Sequence, residues 1–517
     1  MKPSNELFKL VKSLSKSEKR FFKLSSSLQA GEKNYIKIFD FIDAQKEYDE
    51  EALKEEFKNE VFIKHLSSEK NYLYKLILKS LRNFYSEDSP GSILKLEIKN
   101  IEILFSKALY KECEKYIQRV KELAKSTEDF YYWNEIISWE KWLIEDGLQE
   151  TLNEVLLEEL IKEEIEVVEK LRNLAEYQII YSRINNIFRS GGFIRSKKEE
   201  EQVAAIADYH LIKGKNTALS VRATSMCYYI KGLCAATNRD YEDSYLYFNK
   251  TRAVLDKNPI IKADLATRYI QCLTHLLRCY IDGQEFKQAE ELIVDMRNLK
   301  EEKGFKSVSH QIRILSNSYL MEFLLLQRQG KFQDTIRLID NIGDFVIEYE
   351  DTLTKEQRIM FSYYKSVSYF AVGEYKKALL CVNEILNDNE KIVRQDIFSF
   401  ARIFNLVLHF ELGNYDFAEY AIKSVNRYLS KRERDYETET LLIKTIKQLS
   451  KTNTPEEQYT IFKSLKENVE ELFNDKHEQA ILEYFNLTAW IEAKLKSTTY
   501  EYEVKRLLKS NSAGNSN

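Results

Sequence analysis

Proline and glycine are scarce, with 4 and 14 in 517 residues. Both disfavour helix interiors, so a chain this poor in them has few places where a helix must stop. No alternating apolar–polar stretch is long enough for a strand, and the composition predicts an all-α protein. Long apolar runs are missing too. Apolar runs such as Phe323 to Leu326 fall far short of the ~20 residues that cross a bilayer. The opening stretch, MKPSNELFKLVKSLSK, is basic but has no apolar core of a secretory signal. Charge of one sign is also lacking. The 78 basic and 82 acidic side chains leave a net charge of −4, which makes no field for nucleic acid or an anionic membrane. The six cysteines are scattered among Ile, Leu and Tyr, as buried reduced thiols are. Together these absences predict a cytoplasmic protein with no membrane partner.

Signatures of catalysis are equally thin. There is no G-x-S-x-G, no Walker-type loop and no glycine-rich dinucleotide fingerprint. Cys272-x-x-His275-x-x-x-Cys279 places three metal-binding types on roughly one helical face. Seven residues of helix rise about 10.5 Å, however, and zinc needs each sulfur at about 2.3 Å, so short Cys side chains cannot close the gap. Cys227 and Cys234 fail for the same reason. The six histidines (65, 210, 275, 310, 409 and 477) are dispersed, and His409 in Leu406-Val-Leu-His-Phe410 reads as a hydrogen-bonded packing residue. Glu158-Glu159 and Glu163-Glu164 read as solvated faces of a helix dense in Leu, Ile and Glu. No catalytic residue, metal or cofactor is expected.

What the chain does contain is a recurring pattern. An aromatic residue is followed three positions later by a small one and four further on by an aliphatic or aromatic one. It reads Tyr241-x-x-Ser244-x-x-x-Phe248, Phe286-x-x-Ala289-x-x-x-Ile293, Phe332-x-x-Thr335-x-x-x-Ile339, Tyr375-x-x-Ala378-x-x-x-Val382 and Tyr415-x-x-Ala418-x-x-x-Ile422. Successive aromatics stand 45, 46, 43 and 40 residues apart. Such a period marks an α-solenoid of stacked antiparallel helix pairs. A turn residue precedes each aromatic: Gly283, Gly330, Gly373, Gly413, and Asn238 in the first copy. Each is expected to take the left-handed conformation that ends a helix. The aromatic should then open the second helix and pack over the turn. The small residue belongs where the two helices touch.

The pattern resembles tetratricopeptide repeats. Gly232, Ser244 twelve residues later, Phe248 four after that and Thr251 three further match that family's spacing. Only this copy keeps the glycine, and the period exceeds the usual ~34 residues. The likeness covers roughly residues 225–430, and Tyr110-x-x-Cys113-x-x-x-Ile117 adds an earlier copy. The resemblance implies a right-handed solenoid whose first helices line a peptide-binding groove. Groove positions would be Met226, Tyr229 and Leu233, then Gln271, Thr274 and Arg278, then Asn317, Leu320 and Gln327. Met360, Tyr363, Val367 and Phe370 follow, and last Phe400, Ile403, Val407 and Phe410. That groove is apolar and aromatic towards its C-terminal end, which suits an amphipathic helix or extended peptide. The competing reading is that longer helices turn these residues into core between repeats.

Residues 86–92, Ser-Glu-Asp-Ser-Pro-Gly-Ser, are a break that separates an N-terminal helical bundle (1–85) from the solenoid (93–500). Residues 501–517 read as a helix end and a disordered tail from Asn511. In the bundle, Ser15 and Glu18 form a capping box, Asp49 caps a helix through Leu53 and Phe57, and Ser67 caps one through Leu81. Tyr35, Ile38, Phe39 and Ile42 have helical spacing. Two function classes follow. The first is a non-catalytic scaffold for a protein or peptide partner. The alternative is a DNA-binding transcriptional regulator that senses a peptide. Its helix-turn-helix would lie in residues 53–82, with Lys70, Asn71, Tyr74, Lys75 and Lys79 meeting bases or phosphates.

Overall fold

The computed structural model describes residues 5–27, 34–87, 89–146, 154–191, 194, 197–349, 352–388, 394–429, 437–452, 454–475 and 478–514. Among these the protein is all-α, with no strand. Contacts divide it into two compact units, residues 1–167 and 168–517. The division falls inside one long helix, not at the break near Pro90.

Within the first unit, α1 (Glu6–Ser13), α2 (Lys16–Ser27), α3 (Asn34–Ala44), α4 (Glu50–Glu56) and α5 (Leu66–Phe84) enclose one apolar core around Val11, Phe39, Leu53 and Ile77. The Ser15 amide donates to Glu18 Oε2 at 2.6 Å, and the Glu18 amide donates to Ser15 Oγ at 3.3 Å, which closes the capping box. Asp49 Oδ1 accepts from the Ala52 amide at 2.9 Å. A 3-10 turn, Val61–His65, precedes α5, which starts at Leu66 with no side-chain cap at Ser67. Ser89 caps α6 (Pro90–Ser106), so a new helix begins at the expected break, where Asp88 lies outside the described residues. α6, α7 (Tyr110–Thr127) and α8 (Phe130–Glu145) build a second core around Leu94, Cys113, Ile117 and Ile136.

The helix α9 (Glu154–Gly191) carries Glu163, which is half-buried. It accepts from Trp133 Nε1 at 2.8 Å and lies 2.7 Å from Lys121 Nζ. Glu164 pairs with Lys141 at 3.0 Å, while Glu158 and Glu159 are exposed.

The second unit continues with α10 (Lys197–Ala207), α11 (His210–Lys213), α12 (Val221–Thr237) and α13 (Tyr241–Asp256). Next come the short α14 (Pro259–Asp264), then α15 (Ala266–Asp282), α16 (Phe286–Asn298), α17 (Val308–Arg328) and α18 (Phe332–Asn341). After the short α19 (Gly343–Glu348) follow α20 (Lys355–Ala371), α21 (Tyr375–Leu386), α22 (Gln395–Glu411) and α23 (Tyr415–Leu429). α24 (Glu437–Leu449), α25 (Pro455–Leu472), α26 (Leu487–Lys496) and α27 (Tyr500–Gly514) complete the unit. α27 therefore includes residues 511–514, expected in a disordered tail, and 515–517 lie outside the described residues. Each pair α12/α13, α15/α16, α17/α18, α20/α21 and α22/α23 packs internally, and its second helix packs on the first helix of the next pair.

The small residues Ser244, Ala289, Thr335 and Ala378 are buried, as are Phe248, Ile293, Ile339 and Val382 one turn later. A Cβ on Gly232 would come within 2.8 Å of the Phe248 ring, so that helix crossing needs glycine. The turns differ from expectation in two copies. Gly330, Gly373 and Gly413 have φ of 68°, 83° and 71°, but Gly283 and Asn238 do not adopt the left-handed form. There Gln284 and Arg239 do, both at 59°. The true rule is a left-handed residue two positions before the aromatic, and Ala108 before Tyr110 and Glu128 before Phe130 obey it as well. In every case the next amide reaches back to a carbonyl five residues earlier, as Lys331 does to Leu326 at 2.8 Å and Glu285 to Tyr280 at 2.8 Å. The aromatic itself is variable: Phe332 is buried, while Tyr241 and Tyr415 are exposed.

Candidate functional site

The expected groove is not an open surface. Met226, Tyr229, Met360, Tyr363, Phe370 and Phe410 are all buried. At its aromatic end the occupant is the chain's own C-terminal segment, a 3-10 turn (Glu478–Glu483), the connection 484–486, α26 and α27. This segment runs back across the first helices of earlier pairs. Sequence reasoning placed no signal there, because its aromatics stand outside the repeating pattern.

Residues 483–485 are held one side chain at a time. Glu483 sits between Arg278 of α15, with which it forms an ion pair, and Arg328 of α17 at 3.1 Å. Burial opposes its ionisation, but the charges of Arg278, Arg328 and Arg239 outweigh it and hold the carboxyl at about 2. The Tyr363 hydroxyl donates to the Tyr484 carbonyl at 2.5 Å. The Tyr484 ring stacks on Phe400 with centroids 5.4 Å apart, and its hydroxyl donates to Asp396 Oδ2 at 2.9 Å. Arg394 in turn anchors Asp396 at 2.7 Å. Phe485 lies among Phe370, Phe404 and Tyr500, each 5.2 Å away between centroids. Further on, Trp490 packs on Phe410 and Phe462 and donates from Nε1 to Glu411 at 2.7 Å. A cavity of about 520 Å³ remains beside this segment, lined by Tyr241, Arg328, Phe332, Glu483, Asn486 and Leu508 among others.

The remaining expected groove residues bridge neighbouring helices. Asn317 Nδ2 donates to Thr274 Oγ1 at 3.1 Å, and Gln327 Nε2 donates to the Tyr364 carbonyl at 2.9 Å. Arg278 also pairs with Asp282 at 2.5 Å. Gln271 is half-buried. The competing reading, core between repeats, thus describes most of these positions.

Cys272, His275 and Cys279 are directed to three separate partners. The Cys272 thiol reaches the Phe248 carbonyl at 3.1 Å, and Cys279 lies 3.5 Å from Ser244 Oγ. His275 Nε2 lies 3.1 Å from the Tyr229 hydroxyl, and its ring stacks on Phe248 at 4.6 Å. Burial lowers the His275 pKa to about 4, so the ring is neutral at pH 7. No cluster of three metal-ligating side chains occurs among the described residues. His409 is buried, with Nδ1 3.3 Å from Asn414 Nδ2 and its ring against Phe417. His477 lies outside the described residues.

On α5, Asn71, Lys75 and Lys79 are exposed and Tyr74 is half-buried. Lys70 is not free for DNA: its ammonium is 2.5 Å from Glu50 and donates to the Tyr48 hydroxyl at 2.8 Å. No helix among the described residues is long and apolar enough to cross a membrane. No protein-family model, curated protein or solved structure matches the chain.

Proposed function

We propose that the chain is a non-catalytic, cytoplasmic α-solenoid of tetratricopeptide-like helix pairs that binds a protein or peptide partner. The observation supporting this reading is the grip on residues 483–485. The first helices take a carboxylate between two guanidinium groups, a backbone carbonyl by a tyrosine hydroxyl and an aromatic ring in an aromatic pocket. These are the means by which a repeat protein reads a short peptide from another chain, with backbone contacts for affinity and pockets for specificity. The test is capture from native lysate with the tagged full chain, comparing nuclease-treated and untreated halves. A Glu483→Arg variant, which sets a third cation between Arg278 and Arg328, is run in parallel. The expected result is one stoichiometric protein that survives nuclease and is captured more strongly by the variant. Absence of any such protein with both chains would remove the reading.

The exposed Asn71, Lys75 and Lys79 on α5 favour a second reading, DNA binding through residues 1–85. A gel shift with the full chain, with and without Lys75→Glu and Lys79→Glu, separates the two.

A further inference from the structure

Arginines on the helices of the second unit are, as a rule, neutralised. Arg278 and Arg328 share Glu483, Arg394 holds Asp396, Arg297 holds Glu322 and Arg222 holds Asp264. Arg268 on α15 and Arg313 on α17 break the rule. Neither forms an ion pair or a side-chain hydrogen bond among the described residues, and Arg313 Nε is buried without an acceptor. α15 and α17 lie side by side here, with Thr267 Oγ1 3.2 Å from His310 Nε2 and Asn317 Nδ2 donating to Thr274 Oγ1 at 3.1 Å, which sets Arg268 and Arg313 on neighbouring turns, and both charges act on the buried Tyr229 hydroxyl of α12. The Arg268 guanidinium lies over the Tyr181 ring of α9, 5.9 Å from its centroid, and Tyr181 packs against Tyr229 at 5.9 Å.

An unpaired, part-buried guanidinium is costly to keep, because desolvation weakens its hydration and no carboxylate in contact returns the loss. Burial, together with the nearby charge of Arg222, pulls the Arg268 pKa below its usual value. A tyrosine face orients a guanidinium through cation–π attraction while leaving its edge donors free, and those donors match the two oxygens of an oxyanion. We propose that Arg268 and Arg313, backed by Tyr181 and Tyr229, form a binding site for an anionic ligand presenting a phosphate or carboxylate group. The site is separate from the grip on Glu483 and does not depend on the peptide reading.

The experiment is thermal unfolding and calorimetric titration of the full chain with inorganic phosphate, with succinate, and with chloride at matched ionic strength. Phosphate or succinate raises Tm by about 2–4 °C beyond chloride once well above its Kd, and the better of the two identifies the group. Arg268→Gln with Arg313→Gln abolishes that shift. The same double variant, freed of two unbalanced charges, unfolds without ligand at the wild-type Tm or above it. Arg268→Lys keeps the charge but loses the two-pronged geometry, and weakens binding about tenfold. No shift with either anion, or equal shifts in wild type and double variant, overturns the proposal. Loss of the anion response with partner capture intact removes this site alone. Loss of capture with the anion response intact removes the peptide reading alone.

Discussion

The hydroxyl of Tyr363 donates to the carbonyl of Tyr484, a residue 121 positions further along the chain, at 2.5 Å. That bond ties the first helix of one pair to a segment that follows all five copies of the repeating pattern. Tyr363 and Phe370, both expected on an open groove, are therefore part of the interior, and Phe370 meets Phe404, Phe485 and Tyr500. Phe370→Ala should cost about 3–5 kcal/mol, the usual range for emptying a buried aromatic site. Tyr363→Phe, which removes only the hydrogen bond, should cost about 1 kcal/mol. Urea denaturation of each variant followed by circular dichroism measures both. A Phe370→Ala chain as stable as wild type would show that residues 483–500 do not rest on this face in solution.

The turns supply a second prediction. Gln284 and Arg239 hold φ of 59°, a conformation that strains any residue with a Cβ. Gln284→Gly should be neutral or stabilising by up to about 1 kcal/mol, since relief of strain outweighs the greater freedom of the unfolded chain. The converse change, Gly373→Ala at φ 83°, meets no neighbouring atom within 4 Å and so tests conformation alone. It should destabilise by about 1 kcal/mol. A loss at Gly373 with none at Gln284 in the same melting assay is the expected outcome.

These turns also mark how far the sequence could be read. The spacing of Ser244, Ala289, Thr335 and Ala378 revealed the helix pairs because a small residue at a crossing is a local requirement, repeated in each copy. It misplaces two turns because residue type, Gly283 and Asn238, is a poorer marker than position: the geometry fixes a site two before the aromatic that Gln284 and Arg239 also fill. The return of residues 478–508 was illegible for a different reason. Tyr484, Phe485 and Trp490 contact residues 79 or more positions away, and no periodicity encodes such a meeting. Tyr229 and Tyr363 had the register of groove residues, but register does not say whether a face is covered. Nor did composition distinguish Arg268 and Arg313 from their paired neighbours, since pairing depends on which carboxylate arrives from another helix.

His275 gives a pH dependence. Its folded pKa of about 4 lies below the ordinary value of 6.5. Above pH 6.5 the ring is neutral in both states and its contribution is complete. As pH falls from 6.5 towards 4 the unfolded chain takes up a proton that the folded chain refuses, and stability declines by about 3 kcal/mol over that window. His275→Gln keeps a polar partner for the Tyr229 hydroxyl but cannot titrate. Denaturation midpoints at pH 4.5 and 7 should differ less in this variant than in wild type, with His409, also lowered by burial, retaining its own share.

The first unit offers a test of buried charge. Lys121 is 5% exposed, and its ammonium lies 2.6 Å from Glu140 and 2.7 Å from Glu163. Glu140 is itself 5% exposed and also accepts from Gln118 at 2.8 Å. Burial raises the cost of ionising Glu163, yet Lys121, Trp133 and Lys125 lower its pKa overall. Removing the cation alone leaves two carboxylates facing each other without their shared partner, so Lys121→Met should cost about 3–5 kcal/mol. Removing the pair together does not leave that imbalance: Lys121→Met with Glu140→Leu should recover most of the loss, with Glu163 still held by Lys125 and Trp133. Trp133, Trp139 and Trp142 lie in this unit and only Trp490 in the other, so tryptophan fluorescence during guanidinium unfolding reports the first unit selectively. If the double variant is as unstable as the single one, the loss comes from packing around the lysine stem and not from an orphaned charge.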